Sequence, residues 1–208
     1  MKKLTSSLIA AGVIVGASMS APAMAEGPSA NVSIVNDYVW RGVSQTAAVP
    51  AVQGGMDWEK DKLSFGVWGS GVGFGGGTEL DVYGAYNFGP VAVGLIYYYY
   101  PESTPGIDFY EANVGGDVGP VSLMASYNFT DSLYYVEGSY SMPIGKASLD
   151  LHVGYGDGQY GLSGQAEYDA SIGISGTAGG VDLSAGYWTS PGDVGNEGKF
   201  VVSAGKSI

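Results

Sequence analysis

The sequence predicts an all-β chain: a single transmembrane antiparallel up-and-down β-barrel of about 12 strands, with short turns on the periplasmic side. Three observations predict it. Apolar side chains recur with period two almost everywhere past residue 30. A Gly-led tight turn repeats at hairpin spacing, and aromatic residues gather toward strand ends rather than strand centres.

The strands are read from their alternation. Val52, Gly54, Met56 and Trp58 interleave with Gln53, Gly55, Asp57 and Glu59. Leu63, Phe65 and Val67 interleave with Ser64, Gly66 and Trp68. Leu80, Val82, Gly84, Tyr86 and Phe88 interleave with Glu79, Asp81, Tyr83, Ala85 and Asn87. Phe200, Val202 and Ala204 lead the last strand toward Ile208. Successive side chains on a strand point to opposite faces, so each segment has one apolar face and one polar or small face. Gly, at 36 of 208 residues, is scattered too densely for stable helices.

The turns carry a repeat. Gly89-Pro90-Val91-Ala92-Val93 resembles Gly119-Pro120-Val121-Ser122-Leu123, Gly145-Lys146-Ala147-Ser148-Leu149 and Gly179-Gly180-Val181-Asp182-Leu183, with Asp61-Lys62-Leu63-Ser64-Phe65 a looser relative. Intervals of 30, 26 and 34 residues separate the four Gly-led turns. That spacing suits two strands of about ten residues plus a loop. The looser connections are Gly42 to Pro50, Gly71 to Gly77, Pro101 to Pro105, Thr130 to Ser132, Asp157 to Gln165 and Ser190 to Gly198. Both termini then fall on the tight-turn side.

Aromatic placement separates a membrane barrel from a soluble sandwich. Tyr38, Trp40, Trp68, Tyr97 to Tyr100, Tyr110, Tyr127, Phe129, Tyr134, Tyr135, Tyr155, Tyr187 and Trp188 stand near the looser loops; Trp58, Tyr86 and Phe88 stand near the tight turns. Membrane barrels carry aromatic girdles at both interfaces, whereas a sandwich core buries its rings in mid-strand.

Composition excludes much conventional chemistry. A formal charge of −12 argues against nucleic acid, whose phosphates need a basic surface. The absence of Cys removes disulfides, thiol nucleophiles and cysteine metal sites, and a single His leaves too few ligands for an ordinary zinc site. No cofactor or metal is expected.

Residues 1–25 read as a cleaved signal peptide: Lys2 and Lys3, an apolar run from Leu8 to Ala17, then Ala23-Met24-Ala25 as the small-x-small cleavage pattern. The run is too short for a membrane-spanning helix, which takes about 20 residues. Residues 26–208 are then the exported barrel, with 6 basic against 20 acidic residues.

The segment Asn36-Asp37-Tyr38-Val39-Trp40-Arg41-Gly42-Val43-Ser44-Gln45-Thr46 resembles the opening signature of the TorF-type family of outer-membrane porins. Pro50-Ala51-Val52-Gln53-Gly54-Gly55 and Gly66-Val67-Trp68-Gly69-Ser70 resemble that family's next two blocks, so the match is most specific over residues 31 to 88. The resemblance implies a small outer-membrane protein of a Gram-negative bacterium with a porin role, its partners being membrane lipid and small solutes or ions. It supplies no catalytic residues.

The face opposite the apolar one supplies the candidate pore-lining residues Asp37, Arg41, Glu79, Asp81, Glu111, Glu137, Asp150, His152, Glu167 and Asp169. An acidic ring inside a low-dielectric wall attracts cations, so the expectation is a passive, weakly cation-preferring channel. A non-conducting structural or adhesion barrel and an outer-membrane hydrolase are the alternatives. Arg41, the only Arg, lies on this reading on the same strand face as Asp37, about 13 Å away. It either reaches across the lumen to Glu79, Asp81 or Glu167 or braces the wall. A hydrolase would centre on His152, whose parity points inward, and no Gly-x-Ser-x-Gly motif accompanies it. No enzyme activity is therefore expected. Gly71 to Gly76 matches G-x-G-x-x-G, but a strand follows it where a dinucleotide site needs a helix, so it reads as a surface loop.

Overall fold

The computed structural model describes residues 27–75, 77–102, 107–157, 166–190 and 198–208, without the side chains of residues 27, 166 and 167. The signal peptide read at residues 1–25 lies outside the described residues. The strands are β1 (Gly27–Val35), β2 (Val39–Trp40), β3 (Val43–Ser44), β4 (Ala51–Lys60), β5 (Leu63–Gly71), β6 (Thr78–Asn87), β7 (Ala92–Tyr99), β8 (Phe109–Val118), β9 (Val121–Asn128), β10 (Leu133–Ile144), β11 (Ala147–Asp157), β12 (Ala166–Ala178), β13 (Val181–Thr189) and β14 (Lys199–Ser207). Twelve of these, β1 and β4 to β14, form one closed barrel; β2 and β3 form a separate two-stranded hairpin. The fold is thus the all-β antiparallel barrel expected from the alternation.

Closure is made by β1 against β14, from Asn31 opposite Ser207 to Val35 opposite Ser203. Ala30 and Ile208 exchange backbone hydrogen bonds of 3.0 and 2.8 Å beyond the ladder. No sheet edge is left open, as a lipid environment requires of backbone donors and acceptors.

The repeated Gly has a conformational cause. Gly89, Gly119, Gly145 and Gly179 take φ of 110°, 64°, 66° and 61°, and Asp61 takes 59° at the equivalent place. Tight hairpin connections need a left-handed residue, which Gly adopts without strain and Asp tolerates.

Burial is inverted relative to a soluble protein. Outward positions are exposed and apolar: Val52 is 64% exposed, Leu95 60% and Val153 61%. The alternate positions Gln53, Glu79, Asp81, Glu111, Asp150 and His152 are buried. An exterior of this kind is stable only against hydrocarbon. The Val82→Arg variant, placing a charge at the middle of β6 on the outer face, should cost about 2–4 kcal/mol in lipid. Reversible urea unfolding in phospholipid measures this, and an unchanged midpoint would show that the face does not meet lipid.

Two expectations are corrected by the structure. The first strand does not run on to Arg41. β1 ends at Val35, and the chain then leaves the wall, turns through β2 and β3, and rejoins it at Ala51. Asp37 and Arg41 therefore do not share a strand face. The girdle also divides. Tyr99, Tyr110, Tyr127, Phe129, Tyr134, Tyr155 and Tyr187 are exposed outward as expected, whereas Tyr38, Tyr98, Tyr100, Tyr135 and Trp188 are buried inside. In β7 alternation alone sends Tyr97 and Tyr99 outward and Tyr98 inward.

Candidate functional site

The inward rings surround the segment that leaves the wall. Asn36 makes the exit: its Nδ2 donates to the Phe200 carbonyl at 3.0 Å, and the Val202 N–H donates to its Oδ1 at 2.6 Å. Asp37 anchors the base of the hairpin, accepting hydrogen bonds from the hydroxyls of Ser44 and Thr46. The Tyr38 N–H donates to Thr46 Oγ1 at 3.1 Å, and the Gln45 N–H to the Tyr38 carbonyl at 2.6 Å. The Gly73 N–H donates to the Gln45 carbonyl at 2.7 Å, tying the neighbouring loop to the same segment.

The tip is a two-residue turn. Trp40 pairs with Val43 across Arg41 and Gly42, whose φ values are 49° and 81°. Two positive φ values are the I′ pattern, the one whose twist suits a tight hairpin. A Cβ on Gly42 would lie 2.7 Å from the Asp169 Cβ and 2.8 Å from the Ser190 Cβ, so the tip abuts the β12–β13 wall. Gly42→Ala should therefore destabilise hairpin seating by about 1–3 kcal/mol. Hydrogen exchange at Tyr38 and Gln45 checks this; unchanged protection would contradict the packing.

Contacts on every side place the hairpin across the lumen. The Tyr38 ring packs edge-on against Trp68 of β5 at 5.5 Å, and its hydroxyl donates to Glu79 Oε1 of β6 at 2.8 Å. Tyr100 Oη donates to the other Glu79 oxygen at 2.7 Å. Trp40 meets Tyr98 of β7 and Phe109 of β8 at 5.9 and 6.4 Å. Val39 joins Val35, Val72, Ile96, Tyr98, Phe109 and Trp188 in an apolar cluster inside the barrel.

Arg41 reaches across the lumen to Glu111. Its Nη1 and Nη2 donate to Oε2 and Oε1 of Glu111 on β8, both at 2.9 Å. The guanidinium carbon sits 4.4 Å from the Trp40 ring centre and 4.1 Å from that of Tyr135 on β10. A forked ion pair between two rings is the arrangement a planar guanidinium suits and an ammonium does not.

A second cluster adjoins it. Tyr135 Oη donates to Asp169 Oδ2 at 2.7 Å, and His152 Nε2 lies 2.9 Å from Asp169 Oδ1. His152 Nδ1 is 3.5 Å from Glu137 Oε2. Asp81, 1% exposed on β6, has neither carboxylate oxygen hydrogen-bonded among the described residues. Asp150 stands apart from the hairpin, accepting from Ser141 and Ser175 at 2.6 and 2.7 Å and bracing three adjacent strands. The Glu167 side chain lies outside the described residues. Among those described, no group of three or more acidic, His or Cys residues is arranged to hold a metal ion.

The chain carrying this hairpin matches a known family model over residues 20–203, described as "Bacterial protein of unknown function (Gcw_chp)". The chain belongs to the Gcw_chp family. No curated protein matches it. A solved chain described under "Unveiling the Mechanism Behind the in-meso Crystallization of Membrane Proteins" is similar at 8% identity, covering 88% of this chain and 83% of that one, with a TM-score of 0.52. The COG4313 outer membrane channel from Pseudomonas putida F1 is 10% identical over 88% of this chain and 96% of that one, with a TM-score of 0.47. At 8% identity the first likeness is one of fold. Within this Gcw_chp chain, the segment Asn36 to Thr46 that carries the sequence resemblance is the segment that packs inside the barrel against its inner wall.

Proposed function

We propose that this protein is a porin-like channel of a Gram-negative outer membrane, passing small solutes or ions passively with a weak preference for cations, and constricted by the β2–β3 hairpin. The observation that supports the reading is the inventory of the lumen. Glu79, Asp81, Glu111, Glu137, Asp150 and Asp169 line a closed barrel with an apolar exterior, against Arg41 and His152 as the facing basic side chains. Excess carboxylate in a low-dielectric wall lowers the energy of a cation and raises that of an anion. The TorF-type resemblance agrees with this role. His152, held between two carboxylates inside the barrel, is turned away from lipid, which supports a non-enzymatic reading over a lipid hydrolase.

Reversal potentials of the purified protein across a KCl gradient test the proposal. Cation preference is expected, and Asp81→Asn should lower the cation-to-anion permeability ratio by roughly twofold. A clear anion preference would overturn it. Burial of Tyr38, Val39, Arg41 and Gly42 favours one other reading, a barrel closed in its resting state; a protein silent at every voltage, with or without the hairpin, would support a structural role.

A further inference from the structure

We propose that Asp81 binds a single, partly dehydrated monovalent cation in the sector of the inner wall formed by β4, β5 and β6. This assignment rests on the channel reading and names the point at which the passing ion is held.

Strand register builds the sector. Asp81 lies directly opposite Trp68 of β5 and Tyr98 of β7. Glu79 lies opposite Ser70 of β5, which in turn lies opposite Gln53 of β4. Side chains opposite one another on one face stand about 5 Å apart, and Glu79 and Asp81, two residues apart on β6, about 7 Å. Asp81 is 1% exposed, and neither of its oxygens has a hydrogen-bond partner among the described residues. Gln53, 2% exposed, donates through Nε2 to Ser70 Oγ at 3.2 Å, which leaves its Oε1 without a partner among them. Three buried acceptor atoms in one sector call for a positive charge or a donor. The basic groups of the lumen are engaged elsewhere: Arg41 forks onto Glu111, and His152 faces Glu137 and Asp169. The charges within electrostatic reach of Asp81 are the carboxylates of Glu79 and Glu111. A cation resting on Asp81 removes the cost of that uncompensated charge.

The donor set selects the ion. Glu79 already accepts hydroxyl hydrogen bonds from Tyr38 and Tyr100, one at each oxygen, so the attraction is concentrated on Asp81. A divalent ion such as calcium takes roughly six to eight oxygens. The described residues bring together no group of three acidic, His or Cys side chains to supply them. A monovalent ion is balanced by one carboxylate and keeps part of its water. Its hold is then strong enough to draw the ion in and weak enough to let it leave, as conduction requires. Close enclosure of Asp81 also favours a compact ion over an organic cation.

Thallous ion, which matches K⁺ in charge and nearly in size and quenches indole fluorescence on close approach, is the probe, and Trp68 opposite Asp81 is the reporter. The intact barrel is titrated with thallous acetate at constant ionic strength. Quenching should saturate and be reversed by potassium acetate. Asp81→Asn should weaken the saturable component by about tenfold. Asp182→Asn, which removes a carboxylate held by Thr177 on the far wall, should leave it unchanged. In planar bilayers, K⁺ conductance should level off with concentration in the parent and rise in proportion to it in Asp81→Asn. Quenching that never saturates, or that is the same with and without the Asp81 carboxylate, would overturn the site, and a proton held by Asp81 in place of the ion gives that result. KCl conductance in that event leaves the channel reading standing. Saturable, Asp81-dependent quenching in a barrel that conducts nothing would keep the site and overturn the channel reading. Where Asp81→Asn does not fold, reversal by K⁺ in the parent decides: saturation with reversal supports the site, and quenching indifferent to K⁺ overturns it.

Discussion

Replacing residues 37–46 by a short Gly-Ser linker is expected to raise single-channel conductance on the order of tenfold, because the hairpin is the lumen's filling. Eight-stranded barrels are filled by their own side chains and barrels of about sixteen strands hold an aqueous channel, so twelve strands enclose a space that wall side chains alone do not fill. Here the remainder is taken by Tyr38, Val39 and Arg41, each nearly fully buried. Their removal leaves Glu79, Glu111 and Asp169 facing water, where carboxylates are stable. The wall itself should persist, since every barrel strand keeps both neighbours without β2 and β3. Planar-bilayer recording on heat-modifiable material measures the change. A variant that keeps its barrel and conducts no better than the parent would show that the hairpin is not the constriction.

Glu111→Ala should have the second largest effect, releasing the hairpin at a cost of about 3–5 kcal/mol, the usual penalty for leaving one partner of a buried ion pair. Arg41 is 7% exposed and loses its forked partner, while the Trp40 and Tyr135 faces compensate only in part. The guanidinium then regains hydration by leaving the lumen. Arg41 is the chain's only Arg, so trypsin cleavage after it, read by mass spectrometry, reports its exposure. Cleavage should be rapid in Glu111→Ala and slow in the parent. The double variant Arg41→Met, Glu111→Leu should close again, since apolar side chains of similar volume replace a buried pair at little cost. If Glu111→Ala stays protected, the ion pair does not hold the plug.

The barrel was legible in the sequence to an unusual degree, and the reasons are local. Alternation in Leu80 to Phe88 separates lipid from lumen without knowledge of any neighbour, because the strand period is two residues. The positive-φ residues at Asp61, Gly89, Gly119, Gly145 and Gly179 mark hairpins because few residue types tolerate that geometry. The aromatic residues were only half legible. A ring near a strand end stands at the membrane interface or against a plug, and parity distinguishes the two only once something is known to occupy the lumen.

The hairpin was misread for a related reason. Tyr38, Val39 and Trp40 are apolar on both parities, which one-faced alternation does not allow, and Arg41-Gly42 is a turn hidden inside an apparent strand. Either feature signals a departure from the wall, but neither says where the segment goes. The pairing of Arg41 with Glu111 spans 70 residues and depends on the register of every strand from β4 to β8.

By itself, the sequence determined the strand count, the positions of the tight turns and the parity of the wall acids Glu79, Asp81, Glu111, Asp150 and Asp169, because each is written in nearest-neighbour backbone geometry. Only the tertiary structure decided that the segment from Asn36 to Thr46 lies inside the barrel with Arg41 clasped by Glu111. The physical reason is that closure of twelve strands creates a buried acidic space, and what satisfies its charge is settled by whichever cation the closed barrel brings within reach.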